Sequence, residues 1–298
     1  MGRTYMRKTE IAFEWINIAF LLFSALLCLF PVLNVLALSL SSSTAATAGY
    51  VKLWPVDFTL KSYEYALGKP EFIASFVVSI QRVLLGAVVN MTCTVLAAYP
   101  LSQNNRDFPM RTAYAWFFFF TMIFSGGLIP WYLTIKQLGL IDTLWSVILP
   151  GALPIFHMII LLNFFRQLPH EISESAFVDG AGHWTVLLRI YLPLSTPALA
   201  TLILFTCVGH WNSWFDGMIL MNTPKKYPLQ TYLRTVVVNR DIQSLSHATK
   251  EELEMFRLIS DRTTKASQIF IAALPILAIY PFLQKYFVKG IVMGSVKG

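Results

Sequence analysis

The stretch 168–193 reads LPHEISESAFVDGAGHWTVLLRIYLP. It is polar, and it sits between two apolar runs, 144–165 and 197–221, each near the roughly 20 residues a helix needs to cross a bilayer. Ser173 or a neighbour can cap a short helix, Gly180 and Gly182 can take the backbone angles that end one, and Pro193 can stop the segment that follows. The pattern predicts a short helix, a turn and a second short helix lying on a membrane surface and joining two spans.

Outward from this loop, four further apolar runs at 13–38, 72–98, 113–134 and 269–287 bring the total to six and put both termini on one side. Composition agrees. Charged residues make up 13% of the 298, against roughly 25% in a soluble domain, 56% are hydrophobic, and mean hydropathy is +0.59. Too few charges are present to clothe a soluble domain of this length, so the expected class is an all-α membrane protein of about six transmembrane helices. The net charge of +7 does not point to nucleic acid, because Lys and Arg are scattered through loops and form no stripe interleaved with aromatics. Cys28, Cys93 and Cys207 each lie in an apolar run without CxxC or Cys/His spacing, which excludes a disulfide framework and gives no metal-ligand pattern.

The expected organisation is a cytoplasmic N-terminus with the first span (1–38), an external loop (39–71), and a five-helix core (72–298) carrying the surface loop 166–195 and an external loop 222–267. Residues 39–71 hold a Ser/Thr/Ala-rich stretch and Trp54-Pro55 and read as an irregular excursion; 222–267 contain Pro224 and Pro228 and then a helix-like run at 247–260. Arg3, Arg7 and Lys8 precede the first run, and Ala46-Thr47-Ala48 resembles a cleavage site. The run is longer than the 7 to 15 residues of a signal core, so a retained anchor is expected. With the N-terminus inside, ten basic residues fall on internal segments and four on the shorter external loops, Lys52, Lys61, Lys69 and Lys136. The loop 222–267 adds eight outside, together with Glu251, Glu252, Glu254 and Asp261; long loops are weaker topogenic signals.

Within the loop, Glu174, Ala176, Gly180, Ile190, Leu192 and Pro193 stand at the spacing E-A-A, three residues, G, nine residues, I, one residue, L-P, with Ser175 in place of the first Ala. In this the sequence resembles the permease family of ATP-binding-cassette (ABC) importers. Ser125-Gly126-Gly127-Leu128-Ile129-Pro130, then 138–143 (LGLIDT) and 283–290 (LQKYFVKG), are similar to its carbohydrate branch, especially the polysaccharide type. The resemblance implies a type I importer core. In such a core Glu174, Ser175, Ala176, Asp179, Gly180, Ala181 and Gly182 form a coupling helix and turn seated in a cytoplasmic ATPase. It also implies a tail, with Gly294, Ser295 and Lys297, reaching between ATPase subunits, the other reading of the tail being a frayed terminus. The implied partners are a second homologous permease, two ATPase subunits that bind ATP and Mg²⁺, and an extracytoplasmic sugar-binding protein, all at the bacterial cytoplasmic membrane and its lipid. This chain itself is expected to bind no cofactor or metal.

The residues agree with a non-catalytic subunit. No G-x-x-x-x-G-K-[ST] phosphate loop occurs, since Gly68-Lys69 runs into Pro70, and there is no G-x-S-x-G elbow or H-E-x-x-H helix. The rival reading is a membrane-embedded glycolipid- or glycan-processing enzyme. In the fifth span, Gly209-His210-Trp211-Asn212-Ser213-Trp214-Phe215-Asp216-Gly217 is too polar for a lipid-facing turn. Trp211 and Trp214 can stack on sugar rings while Asn212 and Asp216 hydrogen-bond hydroxyls, or the same groups can join helices. Gly86, Asn90 and Asn163 read as helix contacts.

Arg82 lies about 15 Å into the second span with no acidic residue within two turns of its helix. Facing lipid it would cost at least about 2.5 kcal/mol, so it faces the bundle interior. There it either pairs with a carboxylate such as Asp216, meets water, or lines the path and grips an acidic glycan through two parallel hydrogen bonds.

Overall fold

In the computed structural model, residues 8–104, 106–238 and 260–295 are described, with side chains over 13–104, 106–235 and 260–279. Every regular element among them is helical. The chain divides into two units, residues 1–69 with 239–273 and residues 70–238 with 274–298.

The first unit holds α1 (Lys8–Ser39), α2 (Ser43–Thr47), α3 (Lys61–Leu67) and the beginning of the last helix. Along α1 the apolar side chains from Phe13 to Phe30 are all exposed, as expected for a helix that meets lipid. The excursion after it is ordered by polar contacts: Ser42 caps α2 through the Ala45 amide at 3.3 Å, and Ser39 and Tyr63 share a 2.7 Å hydrogen bond. The helix-like run expected at 247–260 lies outside the described residues apart from Ser260.

The second unit is organised around α4 (Pro70–Ser102). Its order continues with α5 (Arg111–Ile123), α6 (Leu128–Gln137), α7 (Ile155–Arg166), α8 (His170–Val178), α9 (His183–Val186), α10 (Leu192–Leu194), α11 (Thr196–Asn212), α12 (Phe215–Leu220) and α13 (Leu229–Val238). The last helix, α14 (Asp261–Ser295), runs from the first unit into the second. Along α4 the buried positions Phe72, Ser75, Ser79, Arg82, Gly86, Asn90, Thr94 and Ala98 recur every three or four residues, while Val77, Leu84, Leu85, Val88 and Leu96 are exposed. The apolar stripe thus faces out and the small and polar stripe faces in, the reverse of a helix in water. At Gly86 a Cβ would stand 2.4 Å from His210 Nε2, so a larger residue there would have to displace the His210 ring of α11.

Two helices, Phe13–Ser39 and Pro70–Ser102, are long and apolar enough to cross a membrane unaided, and three bent pairs would make five spans among the described residues. The third, fourth and fifth expected runs are therefore not straight helices. Arg111–Ile123 and Leu128–Gln137 meet at 112° across Ser125-Gly126-Gly127, where Gly127 has φ +89, a region closed to most side chains. Leu144–Gly151 and Ile155–Arg166 meet at 46° before Pro154 and Ile155. The fifth run divides at Ser213-Trp214 into α11 and α12. The sixth, 269–287, lies within the 35-residue α14.

Candidate functional site

Two places in the second unit gather the residues singled out from sequence. The first is the surface loop. Here α8 begins after Pro169 without a side-chain cap; Ser173 donates instead to the His170 carbonyl at 2.8 Å from inside the helix, so the expected cap is corrected. The helix ends at Gly180, which has φ +83. The Gly180 amide donates to the Phe177 carbonyl at 3.0 Å and the Ala181 amide to the Ala176 carbonyl at 2.9 Å, the paired bonds of a Schellman ending. Gly182 does not end α8: with φ −83 and ψ 166 it caps α9. Nor does Pro193 end the second short helix, which runs on to Leu194 and bends by 81° into α11.

Glu174, Ser175, Asp179, Gly180 and Gly182 lie exposed on the loop, beside Ile172, Phe177 and an 87% exposed Val178, while Ala176 and Ala181 pack inward. The inward side rests on the C-terminal end of α4. Tyr99 meets Tyr191 edge-on at 5.2 Å and shares a 3.1 Å hydrogen bond with His183 Nδ1, and His183 in turn meets Phe177 at 5.0 Å. From α7, Arg166 donates to the Leu101 carbonyl at 3.1 Å. Helix α8 is thereby joined to α4 through packed rings and directed hydrogen bonds.

The second place is the break between α11 and α12. Its freed Ser213 carbonyl accepts from Arg82 Nη1 at 3.3 Å, and Val147 of the 144–151 segment accepts from Nη2 at 3.3 Å. Arg82 grips Asp216 through both terminal nitrogens, Nη1 to Oδ1 at 3.2 Å and Nη2 to Oδ2. Asp216 Oδ1 further accepts from Ser213 Oγ and from the Gly217 amide, each at 2.8 Å. Arg82 is 2% exposed; both its Nη atoms are engaged, while its Nε is buried without a hydrogen-bond partner among the described residues. Of the alternatives open in the sequence, the ion pair is the arrangement present; the grip on an acidic glycan is not, because neither terminal nitrogen is turned outward. The pair links α4, the 144–151 segment and α12.

The remaining candidates separate around this pair. Trp211 is buried, stands edge-on to Phe76 at 5.7 Å and borders an apolar cavity with Ile80, Leu84 and Val208. Asn212 and Trp214 are exposed at the break, and Asp216 is partly so. Asn90 is buried in the α4 stripe as a helix contact, whereas Asn163 is exposed. Gly294 and Ser295 are the last helical residues of α14, and Lys297 lies outside the described residues.

Sequence reasoning missed two groups. Asp142, at φ +61, accepts from the amides of Asn222 and Thr223, each at 3.0 Å, and from Lys226 Nζ at 2.7 Å, clasping the loop after α6 to the loop after α12. Lys226 holds its carboxyl below the usual aspartate range, and the Thr223 and Asn222 bonds add to this against partial desolvation. Arg234 of α13 lies over the Trp214 ring with its guanidinium carbon 5.1 Å from the ring centre. The signal for the first was the positive-φ tolerance of Asp in a Gly-x-x-Asp-Thr turn; the second had no local signal.

Residues 113–293, which hold the surface loop and the α11–α12 break, match the family described as binding-protein-dependent transport system inner membrane component. The chain belongs to this family. Among relatives of this transport component, Protein LplC of Bacillus subtilis (strain 168) is 41% identical over 98% of this chain and 97% of its own length. The polygalacturonan/rhamnogalacturonan transport system permease protein YtcP of the same organism is 37% identical over 96% of this chain and 98% of its own. A solved structure, that of a bacterial ABC transporter involved in the import of the acidic polysaccharide alginate, superposes on 95% of this transport component and 99% of its own chain with TM-score 0.87 and 30% identity. A second chain, from the bacterial alginate ABC transporter in complex with an alginate pentasaccharide-bound periplasmic protein, shares the fold at TM-score 0.55 and 16% identity over 95% of this chain and 96% of that one.

Proposed function

We propose that this chain is one permease subunit of an ATP-driven importer that carries acidic oligo- or polysaccharide across the bacterial cytoplasmic membrane. The observation that carries the reading is the near-full-length likeness, at TM-score 0.87 and 30% identity, to a chain of the alginate importer. The 37% identity to a relative named for polygalacturonan and rhamnogalacturonan supports the same substrate class.

In this reading both termini and the loop 166–195 are cytoplasmic, and the permease pairs with a second, homologous one. Two ATPase subunits bind ATP and Mg²⁺, and a sugar-binding protein delivers the glycan from outside. The exposed face of α8, with Glu174, Ile172 and Val178, is the part offered to the ATPase. Closure of the ATPases presses α8, the Tyr99, Tyr191 and His183 contacts carry the displacement to α4, and the Arg82–Asp216 pair makes the α11–α12 break move with it. The test is ATP hydrolysis by the complex reconstituted from this chain and its neighbouring gene products, measured against a panel of glycans. Stimulation by oligouronates delivered with the binding protein is expected; stimulation by neutral glycans alone would remove the acidic substrate, and hydrolysis indifferent to every glycan would remove sugar import.

A further inference from the structure

We infer that Arg234 and Trp214 together form a subsite for one uronate unit of the glycan, the indole lying under the sugar ring and the guanidinium binding its carboxylate. This rests on the importer reading above and names the residues that would read substrate charge within it.

The break between α11 and α12 presents two arginines in opposite states. Arg82 is buried, and its Nη atoms are taken by Asp216, Ser213 and Val147. Arg234 is exposed, and its guanidinium lies over the indole with its carbon 5.1 Å from the ring centre. A guanidinium offers its five N–H groups in its own plane and attracts an aromatic ring through its face, so stacking leaves the in-plane donors available. Two parallel N–H groups match the two oxygens of a carboxylate, which a neutral sugar hydroxyl cannot imitate. Trp214 is 37% exposed, and an indole can meet the C–H side of a sugar ring beside that charge.

Both residues are held in place from behind. Thr231 Oγ1 donates to the Trp214 carbonyl at 2.9 Å, and the Leu229 amide donates to Ser79 Oγ of α4 at 2.7 Å. Leu229, Thr231, Tyr232 and Leu233 are buried, so the helix that carries Arg234 is seated by one face and turns Arg234 outward. At Gly217 a Cβ would stand 2.3 Å from Thr231 Oγ1, and this close approach fixes α13 against α12. A stacked, exposed cation on a fixed helix beside a broken span has the form of a selectivity element, and it is the counterpart of the acidic group in the proposed substrate.

The test uses the whole importer in proteoliposomes with its binding protein and a uronate trisaccharide as probe, comparing wild type with Arg234→Lys, Arg234→Gln and Arg234→Glu. The half-saturating concentration for uptake is expected to rise about tenfold in Arg234→Gln and further in Arg234→Glu, with Arg234→Lys between wild type and Arg234→Gln. Docking of the loaded binding protein, measured by co-sedimentation with the liposomes, is expected to stay within about twofold. Unchanged uptake by Arg234→Glu would overturn the subsite, as would an Arg234→Lys variant no better than Arg234→Gln. Uptake lost in step with docking would overturn it in favour of a contact with the binding protein. A wild-type importer that takes up neutral glycans and no uronate would instead overturn the acidic substrate reading on which the subsite rests.

Discussion

The two halves of α4 are built from different chemistry. Over residues 72–94 the buried positions are Phe72, Ser75, Ser79, Arg82, Gly86, Asn90 and Thr94; over 98–102 they are Ala98, Tyr99, Leu101 and Ser102, set among Leu161, Phe165, Leu187 and Tyr191. Within the first set Ser79 and Arg82 hold their neighbours by directed bonds and Gly86 admits the His210 ring, which together restrict the register. The second is mostly apolar contact, which tolerates small sliding of packed helices. One helix is thus clamped where it meets the broken span and compliant where it meets the surface loop, an arrangement suited to carrying a displacement without losing the geometry at its far end.

The largest effect that would break this comparison comes from Arg82→Gln, which leaves Asp216 charged and unpaired at the break. Losing one partner of a buried pair costs about 3–5 kcal/mol, whereas replacing both partners by apolar residues of similar volume is often close to neutral. Thermal unfolding of the purified complex should therefore show a large loss for Arg82→Gln and recovery of most of it in the double variant Arg82→Met, Asp216→Leu. A smaller loss is expected for Gly86→Leu, about 1–3 kcal/mol from overpacking against His210, read by the same melt.

At the other end, Tyr99→Phe keeps the ring packing and removes only the hydrogen bond to His183, worth about 1 kcal/mol. Assembly should be unchanged, and the number of glycans moved per ATP should fall by about twofold. A melt as damaged as that of Arg82→Gln would erase the distinction between the halves.

The smallest effect is expected at the Asp142 clasp. Its folded carboxyl is more acidic than the unfolded one near 3.8, so the clasp contributes its full stability above about pH 4 and loses it as pH falls through the folded value. The wild-type complex should lose stability relative to Asp142→Asn below pH 4, with the difference between them constant from pH 5 to 8.

Much of this was legible in sequence because the relevant signals are local. Apolar runs gave the spans, and Gly180 three residues after Phe177 gave the end of α8, since a positive-φ ending needs no distant partner. The bends were not legible as bends: the run 113–134 is apolar throughout, and only Gly126-Gly127 hinted that its backbone leaves the helical ladder. For Arg82 the sequence required a partner without choosing one, because Asp216 lies 134 residues away. Arg234 was lost among eight basic residues in 222–267, since its stacking on Trp214 exists only once α13 folds back against α12.

Coupling through the surface loop is tested most directly by measuring ATP hydrolysis and uronate uptake together in proteoliposomes, for wild type and Gly180→Trp. At φ +83 a bulky residue strains the turn that ends α8 and adds bulk to the face offered to the ATPase, although no neighbour within the chain obstructs it. The account predicts a complex that assembles and hydrolyses ATP while uptake per ATP collapses. Uptake per ATP equal to wild type would contradict it.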